Sequence, residues 1–179
     1  MIKVTISQSI LELAQGDITK EETEAIGNAA NAALAGGGGV DGAIHRAGGP
    51  SIMTELKARY RGCPTGSAVI TAGGNLKAKY VVHAVGPRYS ATAKDAELLA
   101  SAYQKSLELC TENKISSIAF PSISTGIYGY PVEEASRVAL KAVMDYLKDH
   151  PGIKLVRFVL FDSGTYQTYE EALKELTAL

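Results

Sequence analysis

The chain has only two cysteines, Cys63 and Cys110, and they form neither a CxxC pair nor part of a Cys/His ligand set. That scarcity excludes a disulfide framework and a thiolate metal site, and makes a metal-free cytoplasmic protein the expectation. No apolar run is long enough to span a bilayer, and no signal peptide is recognisable. Neither sign of charge dominates. A net charge of −1 supplies no global field for nucleic acid or an anionic membrane, so neither is an expected partner. The GxxxxGK pattern ending in Ser or Thr is absent, which removes a P-loop, and so is GxSxG, which removes a nucleophile elbow. There is no internal repeat.

What remains is an ordinary globular composition, 46% hydrophobic and 21% charged over 179 residues, which points to one domain spanning 1–179. Strand patterns fall at 2–6, 10–15, 25–27, 68–72, 80–85, 117–120 and 154–161. Thr19 is placed to cap a short helical turn. Longer helices are expected from Pro50 to about Arg61, from Asp95 to about Cys110, from Pro131 to His150, and over 165–176. Strand and helix alternate, so the chain reads as a three-layer α/β/α fold. Its first two strands are consecutive and make the sheet mixed.

The stretch Asn28–His45, NAANAALAGGGGVDGAIH, dominates the rest. Glycine lets a backbone approach a ligand closely, and Val40–His45 is suited to start a helix with Asp41 in its first turn. Amides at a glycine loop and a helix N-terminus make an anion site. No Lys or Arg lies between Asn28 and His45, so such a site would work through backbone N–H groups. A glycine run is more often a linker, but here apolar segments flank it on both sides. Gly37–Gly42 formally matches GxGxxG. The match is weak, because about 20 residues on, where a dinucleotide site needs an acidic strand end, Glu55 and Arg59 fall inside a predicted helix. A second loop, Ser122–Tyr130, has two glycines, three hydroxyl residues and two tyrosines, again without Lys or Arg. Asp17, both loops and Asp162 each follow a predicted strand, and ligands of open α/β sheets sit at such carboxyl ends. Asp41 and His45 share a helix face, either as a carboxylate–imidazole pair or with a histidine satisfied locally at the helix start. His83 reads as a core histidine and His150 as a surface helix end.

Together GDIT at 16–19, NAAN at 28–31, GGGGVDGAIH at 36–45 and PSISTGIYGYP at 121–131 resemble the macrodomain family, most closely its hydrolytic MacroD-type branch. The resemblance covers nearly the whole chain. It implies a mixed, roughly six-stranded sheet between helices and a cleft for ADP-ribose. Asp17 would accept from the adenine amine with Ile18 beside it, and Phe161 would pack on the ring. Gly38, Gly39 and Val40, with Ser124, Thr125, Gly126 and Ile127, would hold the diphosphate. Asn28 would also contact the ligand, Tyr128 would wall the distal ribose, and Asn31 and Asp41 would be the catalytic pair, Asn31 orienting that ribose and Asp41 acting at the scissile bond, with either Asp41 or a phosphate oxygen of the ligand as the base. The implied activity is removal of mono-ADP-ribose from acidic side chains of proteins, deacetylation of O-acetyl-ADP-ribose, or both, with no metal or cofactor. The alternatives are a non-catalytic reader of ADP-ribose or ADP-ribosylated proteins, and a hydrolase of a related nucleotide phosphate. One position departs from the pattern: Gly27 stands where the family usually has an aliphatic residue. A strand-interior glycine costs packing and entropy, so Gly27→Val is expected to be tolerated and even stabilising.

Overall fold

Leu11 and Leu13 project to one side of β2 (Ser9–Gln15), the period-two signature of a strand with a buried face. The computed structural model describes residues 1–177. Its other strands are β1 (Ile2–Ile6), β3 (Ala25–Ala29), β4 (Ala68–Ala72), β5 (Tyr80–Ala84), β6 (Ser117–Phe120) and β7 (Leu155–Leu160). They form one sheet in the order β1-β2-β7-β6-β3-β5-β4. The five interior strands run parallel, and β1 and β4 pair antiparallel at the two edges. The sheet therefore has seven strands rather than the six implied by the resemblance.

Five helices cover it: α1 (Gly39–Gly48), α2 (Ser51–Arg59), α3 (Ala93–Glu112), α4 (Val132–Asp149) and α5 (Ser163–Thr177). Ile44, Ile52 and Leu56 carry α1 and α2 onto one face of the sheet against Ile26 and Val81. On the other face, Leu99, Tyr103, Leu107 and Cys110 of α3 join Leu140, Val143 and Tyr169 over Leu11, Phe120 and Phe158. Two helix starts differ from expectation. Asp17, not Thr19, caps the turn at Ile18–Lys20, accepting from Thr19 N at 2.9 Å and Thr19 Oγ1 at 2.7 Å. In α3 the N-cap is Thr92, and Asp95 reaches back to its amide from the third helical position, at 3.3 Å.

The structure overturns the expectation for Gly27. Its backbone φ is not positive, but a Cβ there would lie 2.6 Å from Cδ1 of Phe120. That ring is fully buried, with Tyr103 and Phe158 packed on it at centroid distances of 5.1 and 5.9 Å. Phe120 fills the volume an aliphatic residue at 27 would use. Gly27→Val is now expected to destabilise by about 1–3 kcal/mol through overpacking. In thermal melts Phe120→Leu should restore part of the loss in the double variant. A melting temperature at or above wild type for Gly27→Val alone would contradict this.

Candidate functional site

Four loops leave the carboxyl ends of β2, β7, β6 and β3, which are neighbours in the sheet, and meet in one cleft of about 750 Å³. Strand order sets loop order. Asp17 and Ile18 follow β2, Phe161 and Asp162 follow β7, Ser122–Tyr128 follow β6, and Asn31 with Gly37–Asp41 follow β3. At about 4.8 Å per strand the cleft spans about 14 Å from β2 to β3. Its rim is apolar in two places, where Phe161 is 80% exposed and Ile127 is 99% exposed.

At the β3 end, Asn31 holds the glycine loop in shape: its Nδ2 donates to Gly36 O at 2.9 Å and its Oδ1 accepts from Ala35 N at 3.1 Å. Gly38 is the N-cap of α1 and has no side chain to close the helix, so the first-turn amides stay open to the cleft. The β6 loop is built on a strained residue. Ser124 has φ +69° and accepts from Tyr130 N at 3.0 Å, while Gly129 N donates to Gly126 O at 3.0 Å. These bonds leave the amides of Thr125, Gly126 and Ile127 without a backbone acceptor. Buried tyrosines support the loop from below. Tyr103 OH donates to Pro121 O and accepts from Ile123 N, and Tyr169 OH pairs with Ser122 Oγ at 2.8 Å.

Among the described residues three carboxylates line the cleft, Asp17 and Asp162 after the neighbouring strands β2 and β7 and Asp41 at the β3 end. Asp17 is exposed, and the hydroxyl and then the amide of Thr19 hold its carboxyl below the usual range. Both bonds go to Oδ1, leaving Oδ2 free. Asp41 is buried. Its Oδ1 accepts from Asn28 Nδ2 at 2.8 Å and lies 3.3 Å from His45 Nε2, so the i,i+4 pair does form. Its Oδ2 faces Gly37.

A family profile described as Macro domain matches residues 27–139. The chain belongs to the macrodomain family. It is 56% identical over 170 residues to a Macro domain-containing protein of Caldanaerobacter subterraneus subsp. tengcongensis, covering 93% of this chain and 97% of that one. It is 48% identical over 167 residues to O-acetyl-ADP-ribose deacetylase 1 of Pantoea vagans, covering 91% and 98%. Among solved structures, a glycine-to-valine mutant of the Oceanobacillus iheyensis macrodomain with ADPR superposes at a TM-score of 0.93. It is 44% identical, with 98% of this chain and 97% of that one covered.

This macrodomain brings together in its cleft Asp17, Ile18, Asn31, Gly38, Gly39, Val40, Asp41, Ser124, Thr125, Gly126, Ile127, Tyr128 and Phe161. Asn28 is the exception. It lies beneath the cleft, fully buried, with its Nδ2 committed to Asp41 and to His83 Nδ1 at 3.1 Å. It points from β3 toward the α1 side of the sheet, as Ile26 does two residues earlier, so it meets Asp41 rather than open space. Its Oδ1 is buried without a partner, an arrangement that costs about 1–3 kcal/mol. Arg46, Gly86 and Val132 line the cleft without standing out in the sequence. Arg46 is the one guanidinium in the cleft among the described residues, and Gly86 lies against Ser124. Arg46 was detectable: Gly39, Ala43 and Arg46 follow i, i+4, i+7 on one helix face. Arg88 does not stand out either; it stacks over the Tyr128 ring at 4.8 Å.

Proposed function

We propose that this macrodomain binds ADP-ribose along the cleft and hydrolyses ester-linked ADP-ribose, from acidic side chains of proteins, from O-acetyl-ADP-ribose, or from both. The observation that carries the hydrolytic part is the buried carboxylate of Asp41 beside the open amides that start α1. A carboxylate there repels a diphosphate and is a poor choice for binding alone. It suits a group that acts on water at the reacting end of the ligand.

The loop order supports one direction for the ligand. The free Oδ2 of Asp17 accepts from the adenine amine, Ile18 lies beside the ring, and exposed Phe161 covers its face. The amides of Gly39 and Val40 and those of Thr125, Gly126 and Ile127 hold the diphosphate from two sides, with Gly38 and Ser124 shaping the two turns. The distal ribose lies between Asn31 and Tyr128. Asn31 keeps one Nδ2 hydrogen and one Oδ1 lone pair for it. Asp41 Oδ2 takes a proton from water as the water oxygen bonds to the ester carbonyl carbon; the bond from that carbon to the ribose oxygen breaks, Asp41 returns the proton to the ribose oxygen, and ADP-ribose and the free acid leave. The Pantoea vagans relative, named as an O-acetyl-ADP-ribose deacetylase, supports the same chemistry. Free, buried Cys63 and Cys110 suit a reducing cytoplasm; no helix among the described residues is long and apolar enough to cross a membrane.

Calorimetric titration with ADP-ribose, followed by turnover assays on a protein ADP-ribosylated at Glu or Asp and on O-acetyl-ADP-ribose, tests the reading. Binding with turnover is expected. Binding without turnover of either ester leaves a reader, and no binding rejects both. For the orientation, Asp17→Ala should weaken ADP-ribose by about 1.5–3 kcal/mol and leave ribose 5-phosphate nearly unaffected. Equal losses for the two ligands would reject the adenine assignment.

A further inference from the structure

Beneath Asp41 runs a line of three polar side chains, Asn28, His83 and Thr71, each buried and none of them lining the cleft. Asn28 and His83 are register partners on the adjacent parallel strands β3 and β5, and Thr71 belongs to the edge strand β4. The direction of each hydrogen bond follows from its neighbours. Thr71 Oγ1 donates to Ala72 O at 2.9 Å, so toward His83 Nε2, 3.0 Å away, it accepts. The imidazole proton therefore sits on Nε2, and Nδ1 is left as an acceptor. Asn28 Nδ2 donates one hydrogen to that Nδ1 at 3.1 Å and the other to Asp41 Oδ1 at 2.8 Å. A flipped carboxamide would set its oxygen against the Asp41 carboxylate. The orientation present avoids this, even though it strands Asn28 Oδ1 in the interior.

We propose that His83 is a positioning residue for Asp41 and acts through Asn28: its Nδ1 lone pair fixes the carboxamide, and the carboxamide fixes the carboxylate with Oδ2 toward the cleft. The proposal rests on the hydrolytic reading above. A protonated His83 would carry N–H on both ring nitrogens and lose the accepting role. Burial, aided by repulsion from His45 at a ring distance of 6.2 Å, pulls the imidazole down to about 3, so the acceptor persists at neutral pH. Thr71 at the far end keeps the tautomer.

Four variants test this with steady-state kinetics on an ester substrate, ADP-ribose titration and thermal melts. His83→Phe removes the acceptor and keeps the bulk; kcat should fall about ten- to hundredfold while KM and ADP-ribose affinity hold. His83→Asn places a side-chain oxygen near the Nδ1 position; it should retain most of kcat even where its melting temperature is the lower of the two. Thr71→Val frees the imidazole proton to move to Nδ1 and should lower kcat, and Thr71→Ser should restore it. Wild-type kcat in His83→Phe and Thr71→Val would overturn the role of His83 and leave the hydrolase reading intact. So would a loss in all four variants that tracks their melting temperatures. Absence of turnover by the wild-type protein on either ester would overturn the hydrolase reading and this role with it.

Discussion

Asp41→Ala is expected to lower the single-turnover rate on ester-linked ADP-ribose about 10²–10⁴-fold, the usual loss when a proton-transferring side chain is removed. ADP-ribose affinity should change less than about tenfold, or ~1.4 kcal/mol, because in the proposed binding mode amides hold the diphosphate and the lost group is an anion. The folded state will register the change too. Asn28 Nδ2 loses an acceptor in the interior, which costs about 1–3 kcal/mol. Melting temperature, affinity and rate should therefore be measured on the same preparation, with Asp41→Asn as a shape-preserving partner. A folded variant that binds and turns over like wild type would reduce Asp41 to an acceptor at the start of α1.

Gly86→Ala should weaken ADP-ribose about a hundredfold, or ~2.7 kcal/mol, without altering any residue that faces the ligand through its side chain. A methyl at 86 would overlap Ser124 Oγ and stand 2.5 Å from Ile123 Cγ2. Ser124 already occupies a positive φ and is buried, so the loop has little room to adjust locally. Relieving the overlap displaces Ile123 and Ser124 at the start of the turn, which in the proposed binding mode draws the Thr125–Ile127 amides off the diphosphate. Ser124→Gly removes the overlapping hydroxyl and suits the positive φ, so the double variant should recover part of the affinity. Calorimetric titration of both variants checks this; wild-type affinity in Gly86→Ala would mean that the turn does not set binding.

Much of the site was legible because its chemistry is local in sequence. Glycines, asparagines and hydroxyl residues clustered just after apolar strands mark loops at strand ends whatever the register, and the two longest clusters both line the cleft. What depends on the facing strand was not legible. Nothing local says that Gly27 is small because Phe120, 93 positions later, occupies its volume. Asn28 and Asn31 look equivalent in NAAN, yet one is inside β3 and points into the protein while the other lies beyond its end. The place of His83 inside an apolar strand implies a core histidine, which it is, but its connection to Asp41 depends on the β3–β5 register.

Beside side chains such as Asn31, Asp41 and Thr125, the glycine loop and the β6 turn present main-chain amides to the cleft, and Arg46 is the one cation lining it among the described residues. Long-range attraction between free charges fades over a Debye length of about 8 Å in physiological salt, whereas short, oriented dipoles in contact with a ligand do not. The hold of such amides on a bound anion is less sensitive to ionic strength than that of exposed lysines and arginines. Such a cradle would need no excess of basic residues around it, and the chain carries none, with 18 Lys and Arg against 19 Asp and Glu.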